Sequence, residues 1–258
     1  MKKELYGVNV KIWFGLAIAA LISALLLIPY SSELTGTPFP PLSELMVSAA
    51  IGLVQFIIYA FLGLKISRKI GIEPTPVLSG KAKLKDNLKL SVLLGVSVGT
   101  AIVVLDWLFN SLFTMPLKEG ASLETVNPSP LYGFLGSFYG GIGEELFLRL
   151  LIIPLFGLLI IGVLKLVGRA KTWKITDKVA WTSIILAAIL FGLGHLPGTA
   201  AIMDITPIVV FRAVLLNGIL GIVYGWLFYR KGLEFAMISH FSSDIILHVL
   251  FPIVIAML

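Results

Sequence analysis

The sequence predicts an all-α protein: a polytopic bundle of about seven or eight membrane-crossing helices around a polar cavity, given the roughly 20 apolar residues each crossing needs. Three observations predict it. The composition is 58% hydrophobic and 13% charged with mean hydropathy +1.00, outside the range of soluble domains. Long apolar runs recur along the whole chain, and the few ionisable groups inside them gather in three stretches.

The runs fall at 12–29, 43–64, 88–113, 131–167, 178–196, 207–229 and 234–257. Each must be helical, because lipid offers no partner for an exposed peptide group. The first follows a basic start, Met1 to Lys11. It resembles a secretory leader but is too long for one, and no small-residue cleavage site follows at 30–34. It reads as a retained span. The run at 131–167 would measure about 55 Å at 1.5 Å per residue, too long for one upright crossing. Gly140, Gly141, Gly143 and Pro154 mark where it could kink or break. The loop at 72–89, with Pro74 and Pro76, reads as a short surface helix. No repeat is apparent, so residues 1–258 read as a single integral membrane domain, with a motif-bearing core at about 131–257.

Basic residues alternate between connections. Lys2, Lys3 and Lys11 precede the first run, and seven lysines and arginines lie in 65–89. Arg169, Lys171, Lys174 and Lys178 follow the fourth run, and Arg230 with Lys231 follow the sixth. The segment 30–42 has none, 116–130 has Lys118 against Glu119 and Glu124, and 197–206 has Asp204 alone. The positive-inside rule then predicts a multi-pass protein of the cell membrane with a cytoplasmic amino terminus. The net charge of +6 is a matter of anionic lipid at helix ends, and no nucleic-acid partner is implied. The chain has no cysteine, which excludes thiolate metal sites and cysteine nucleophiles.

The ionisable residues within runs are Asp106, Glu144, Glu145, Arg149, His195, Arg212, His240, Asp244 and His248. Each costs at least about 2.5 kcal/mol at the bilayer centre unless paired or hydrated. Glu145 and Arg149 lie four apart and can pair on one helical face, while Glu144 points about 100° away. One carboxylate is then a structural partner and the other is free to act. His240 and Asp244 are again four apart, which lets the carboxylate orient the imidazole, and His248 extends that stripe by a turn. Together these stretches hold what hydrolysis needs: a base for water, a donor for an oxyanion, and groups that hold both. On upright helices, however, His195 lies near the outer boundary and His240 about 9 Å from the inner one. A shared site requires a deep hydrated funnel or a fold-back of 196–206.

Glu144 to Arg149 as EExxxR, Phe191 to His195 as FxxxH and His240 to Asp244 as HxxxD resemble, in this order, the motifs of the CAAX-processing and bacteriocin-processing membrane peptidases. The resemblance covers about 144–248. It implies an intramembrane endopeptidase whose partners are prenylated or membrane-associated peptides. It implies that Glu144 activates water with His195 assisting, that His240 and Asp244 form the oxyanion site, and that Glu145, Arg149 and Phe191 support them. Asp244 stands where the prenyl-protein peptidases have asparagine, and a carboxylate donates no hydrogen bond unless protonated. No certain cofactor is implied. A zinc-like site at Glu144, His195, His240 and Asp244 and a metal-free site both remain chemically open. Two other readings fit the residues: a non-catalytic membrane adaptor or immunity protein, and an ion-coupled transporter using Asp106, Arg212 and the glutamate and histidine cluster as a relay.

Overall fold

The computed structural model describes residues 4–5, 7–118 and 128–257. Lys2 and Lys3 of the basic start, and Glu119 and Glu124 of the 116–130 connection, lie outside them. Among the described residues, seven helical runs are long and apolar enough to cross a membrane. A short hairpin precedes them, with β1 (Glu4–Leu5) antiparallel to β2 (Val8–Asn9). The sequence does not announce it, being only two residues per strand.

α1 (Val10–Thr35) starts where Asn9 accepts hydrogen bonds from the amides of Lys11 and Ile12. α2 (Leu42–Lys69) returns, and the Trp13 indole of α1 donates to the Ile57 carbonyl at 2.7 Å. The loop at 72–89 contains one 3₁₀ turn, Leu84–Asp86. Its first half folds under the last helical corner, where Leu233 N donates to the Pro74 carbonyl and Leu78 N donates to Glu234 Oε1. α3 (Leu88–Leu112) then crosses.

The long run does not break. α4 (Pro130–Phe138) passes into two π-helical stretches, Tyr139–Glu144 and Leu146–Ile152, and these into α5 (Ile153–Leu166). The 37 residues form one continuous helical run. Gly140, Gly141 and Gly143 therefore mark a widened turn instead of a hinge, the kind of π segment that recurs at functional sites. α6 (Asp177–Gly194) is followed directly by α7 (Leu196–Ile202). α7 ends against the 115–118 segment, with Lys118 N donating to the Ile202 carbonyl and Asp204 N to the Pro116 carbonyl.

α8 (Pro207–Lys231) lies antiparallel to α6. A Cβ at Gly192 would sit 2.5 Å from Val214 Cα, and one at Gly221 would sit 3.0 Å from Ala188 Cα. Small residues let the two backbones meet where dispersion and close packing must replace the hydrophobic effect. Gly232, at φ +111°, turns the chain within one residue into α9 (Leu233–Ile245). A third π stretch, Ile246–Leu250, and α10 (Phe251–Ala256) complete the last crossing.

That last crossing rests on a bed of glycines. A Cβ at Gly95 would sit 2.1 Å from the Ser239 carbonyl oxygen, and one at Gly133 would sit 2.0 Å from that of His248. Those at Gly99 and Gly141 would touch Ser243 and Phe241 at 3.0 Å. The obstacle at Gly95 is backbone, which cannot swing aside. Gly95→Ala is expected to destabilise the protein by about 1–3 kcal/mol, the usual cost of overpacking. Thermal unfolding in detergent would register it as a lowered midpoint, while alanine at Gly162 of α5, which faces open space, is expected to keep or raise the midpoint.

Candidate active site

The π-turn stretch, α6 and α9 bring the three motifs together. Within the π stretch the two adjacent glutamates separate as the charge argument requires. Glu145 is fully buried and its Oε1 lies 3.0 Å from Arg149 Nη1, while the Glu144 side chain is 24% exposed. Arg149 is itself 1% exposed, its guanidinium carbon 4.7 Å from the centre of the Phe191 ring and 5.1 Å from that of Tyr224. A charge so deep is tolerable because a carboxylate and two aromatic faces replace water.

Glu145 has a second partner. Its Oε1 lies 2.8 Å from His240 Nδ1, so that nitrogen carries the proton it donates and the ring is held in one tautomer and one orientation. The Tyr224 ring stacks on the imidazole, centres 4.4 Å apart and planes 20° apart, and its hydroxyl is hydrogen-bonded to Ser243. Held from one edge and one face, His240 presents Nε2 to the remaining groups. Glu144 Oε2 is 3.8 Å from Nε2 and Asp244 Oδ1 is 3.6 Å from it. Gly140 leaves room for this, since a Cβ there would meet Asp244 Oδ2 at 2.1 Å and His240 Nε2 at 3.1 Å.

His195 caps α6. Its Nδ1 is 2.8 Å from the Phe191 carbonyl oxygen, so Nδ1–H donates there and Nε2 is the nitrogen left for other partners. The Phe191 ring spans the two histidines, 4.7 Å from the His195 ring and 5.7 Å from the His240 ring, centre to centre. The separation expected from upright helices therefore does not arise. Side chains lean toward the amino-terminal end of their own helix, so Phe191 and His195 reach back along α6 while Glu144, on a helix of opposite direction, leans the other way to meet them.

Glu144 and His195 line one cavity of about 480 Å³, walled also by Gln55, Phe56 and Tyr59 of α2, by Tyr139 and by Gly198. His240 and Asp244 lie behind it, 3% and 7% exposed. The cavity lies at the Glu144 end of the site, which accords with a funnel between helices.

Other in-membrane ionisable residues stand apart. His248 does not prolong the His240–Asp244 stripe: the π stretch beginning at Ile246 turns it toward α1, where Nδ1 lies 3.2 Å from the Tyr30 hydroxyl. Asp106 and Arg212 pair with each other between α3 and α8, at 2.7 Å from Nε and 2.6 Å from Nη2 to Oδ1. The pair links α3 to α8. Among the described residues, no three His, Asp or Glu side chains gather in metal-ligating geometry. His240 Nδ1 is committed to Glu145, which leaves Nε2 as the open ring nitrogen, facing Glu144 and Asp244. Sequence reasoning over ionisable residues passed over three neutral neighbours of the site: Tyr224, stacked on His240, and Tyr139 and Gln55, which line the cavity. The signal for Gln55 was available, as it is the one carboxamide in the run 43–64.

A membrane helix bundle with a partly exposed glutamate, a second glutamate locked in an ion pair and two converging imidazoles defines a class of intramembrane sites equipped for acid–base chemistry on water. Residues 126–246 match the family model described as Type II CAAX prenyl endopeptidase Rce1-like, so this part of the chain is an Rce1-like domain of the CAAX-processing and bacteriocin-processing peptidase family. No curated protein and no solved structure matches the chain.

Proposed function

We propose that the protein is an intramembrane endopeptidase that hydrolyses a peptide bond of a prenylated CAAX-type or otherwise membrane-associated peptide. The single observation that carries this reading is the division of labour between adjacent glutamates, Glu145 closed in with Arg149 and His240 while Glu144 opens to the cavity beside His195. In the reaction, Glu144 takes a proton from water and the resulting hydroxyl adds to the scissile carbonyl carbon. The proton passes to the departing amide nitrogen, with His195 assisting through Nε2. The oxyanion faces His240, whose Nε2–H donates when the ring is doubly protonated against Glu145, and Asp244, which donates in its acid form. Residues 1–258 act here as one membrane unit, with α2 supplying a wall to a site carried by 131–257. The basic connections favour a cytoplasmic amino terminus in the cell membrane.

The test is cleavage of a fluorogenic farnesylated peptide by the detergent-purified protein, with and without chelator. Wild type is expected to cleave, and chelator is expected to leave the rate unchanged because no step uses a metal. A folded wild-type protein that cleaves no member of a panel of lipidated and unlipidated peptides would favour the adaptor reading. Loss of cleavage with chelator, restored by zinc, would replace the metal-free step.

A further inference from the structure

We propose that Gln55 binds the substrate main chain, its carboxamide hydrogen-bonding the backbone of the peptide held beside Glu144; this rests on the peptidase reading above. Gln55 is the fourteenth of the 28 residues of α2, roughly 20 Å of helix from either end, so it lies at the depth of the lipid tails. Its side chain is exposed, it borders the same cavity as Glu144 and His195, and it has no hydrogen-bond partner among the described residues. The exposed residues around it on α2, Ile51, Val54 and Ile58, are aliphatic, as a lipid-facing surface requires.

An unpartnered carboxamide at this depth costs free energy unless something in the cavity bonds to it. The group offers two donors and an acceptor, which match the C=O and N–H of one extended peptide residue. Bound so, a peptide would be gripped through its main chain, with little regard for side-chain identity, across the cavity from the water-activating carboxylate. Phe56 and Tyr59, one residue and one turn further along the same wall, supply apolar contact beside that grip.

The experiment measures binding separately from turnover. A fluorescent farnesylated peptide is titrated by anisotropy against full-length Glu144→Gln protein in nanodiscs, with and without Gln55→Leu and Gln55→Asn. Gln55→Leu is expected to weaken binding about 3- to 10-fold, the value of a hydrogen bond or two, with Gln55→Asn between. A set of peptides with single amide-to-ester replacements near the scissile bond then supplies a double-mutant cycle. One ester is expected to weaken binding to the Gln55 protein and to have no further effect on the Gln55→Leu protein, a coupling that a packing role would not produce. Equal binding by both proteins, or loss on Gln55→Leu with no coupled ester, overturns the inference. Absence of any peptide binding overturns the inference and the peptidase reading together. Coupled binding in a wild-type protein that cleaves nothing upholds the inference and sinks the hydrolytic reading alone.

Discussion

Replacing Glu144 by glutamine is expected to lower kcat for peptide hydrolysis by about 10²- to 10⁴-fold while KM changes little, the usual contribution of a positioned general base. Glutamine keeps the volume and a polar contact toward His240 Nε2, 3.8 Å from Oε2 in the native protein, but has no basicity with which to take a proton from water. Because Glu144 is partly exposed to the cavity and takes no part in the Arg149 pair, the variant is expected to unfold at the native temperature. Single-turnover kinetics on the farnesylated peptide, alongside a thermal scan, check both halves. A fully active, normally folded Glu144→Gln protein would remove Glu144 from the role. Under the same assay Asp244→Asn is expected to keep or raise activity, since an amide donates to an oxyanion without first needing a proton.

The largest expected loss of stability lies in the neighbouring Glu145–Arg149 pair. Arg149→Met strands the Glu145 carboxylate in a site with no water, and breaking a buried ion pair from one side typically costs about 3–5 kcal/mol. Removing both charges, as Glu145→Leu with Arg149→Met, is expected to recover most of that loss, because well-packed apolar replacements of buried pairs are often neutral. Activity is expected not to recover. His240 Nδ1 loses the 2.8 Å partner that fixes its tautomer, so the double variant folds yet hydrolyses slowly. Unfolding midpoints for the two single variants and the double variant, with rates measured on each, separate the two contributions. If the double variant cleaves as the native protein does, Glu145 has no part in holding His240.

The division between the two glutamates was legible in the sequence because it depends only on local helix geometry: Glu145 and Arg149 meet at i and i+4 in α and π turns alike. The helical runs were legible for a similar reason, since composition alone dictates what a lipid environment permits. The π stretches at 139–152 and 246–250 were not, as nothing in residue type distinguishes a π turn from an α turn. That single blind spot misplaced His248, which the α period puts in line with Asp244 and the structure hands to Tyr30. Convergence of His195 with His240 was illegible too, because it runs through the Phe191 ring that lies between the two imidazoles, and a linear axial estimate on upright helices omits tilt and side-chain reach. Gln55 escaped because charge was the criterion, and an amide in hydrocarbon carries nearly the same message more quietly.

The glycines beneath α9 have a mechanical consequence. With backbone resting on backbone at Gly95 and Gly133 and carboxylate on Cα at Gly140, the segment bearing His240 and Asp244 has no slack to slide, roll or lift. The donor side of the pocket is thus an anvil, set before any guest arrives. Across the cavity, α2 has the least enclosed apolar window of the seven crossings, yet it too is seated backbone on backbone, at Gly63 against the Leu150 carbonyl.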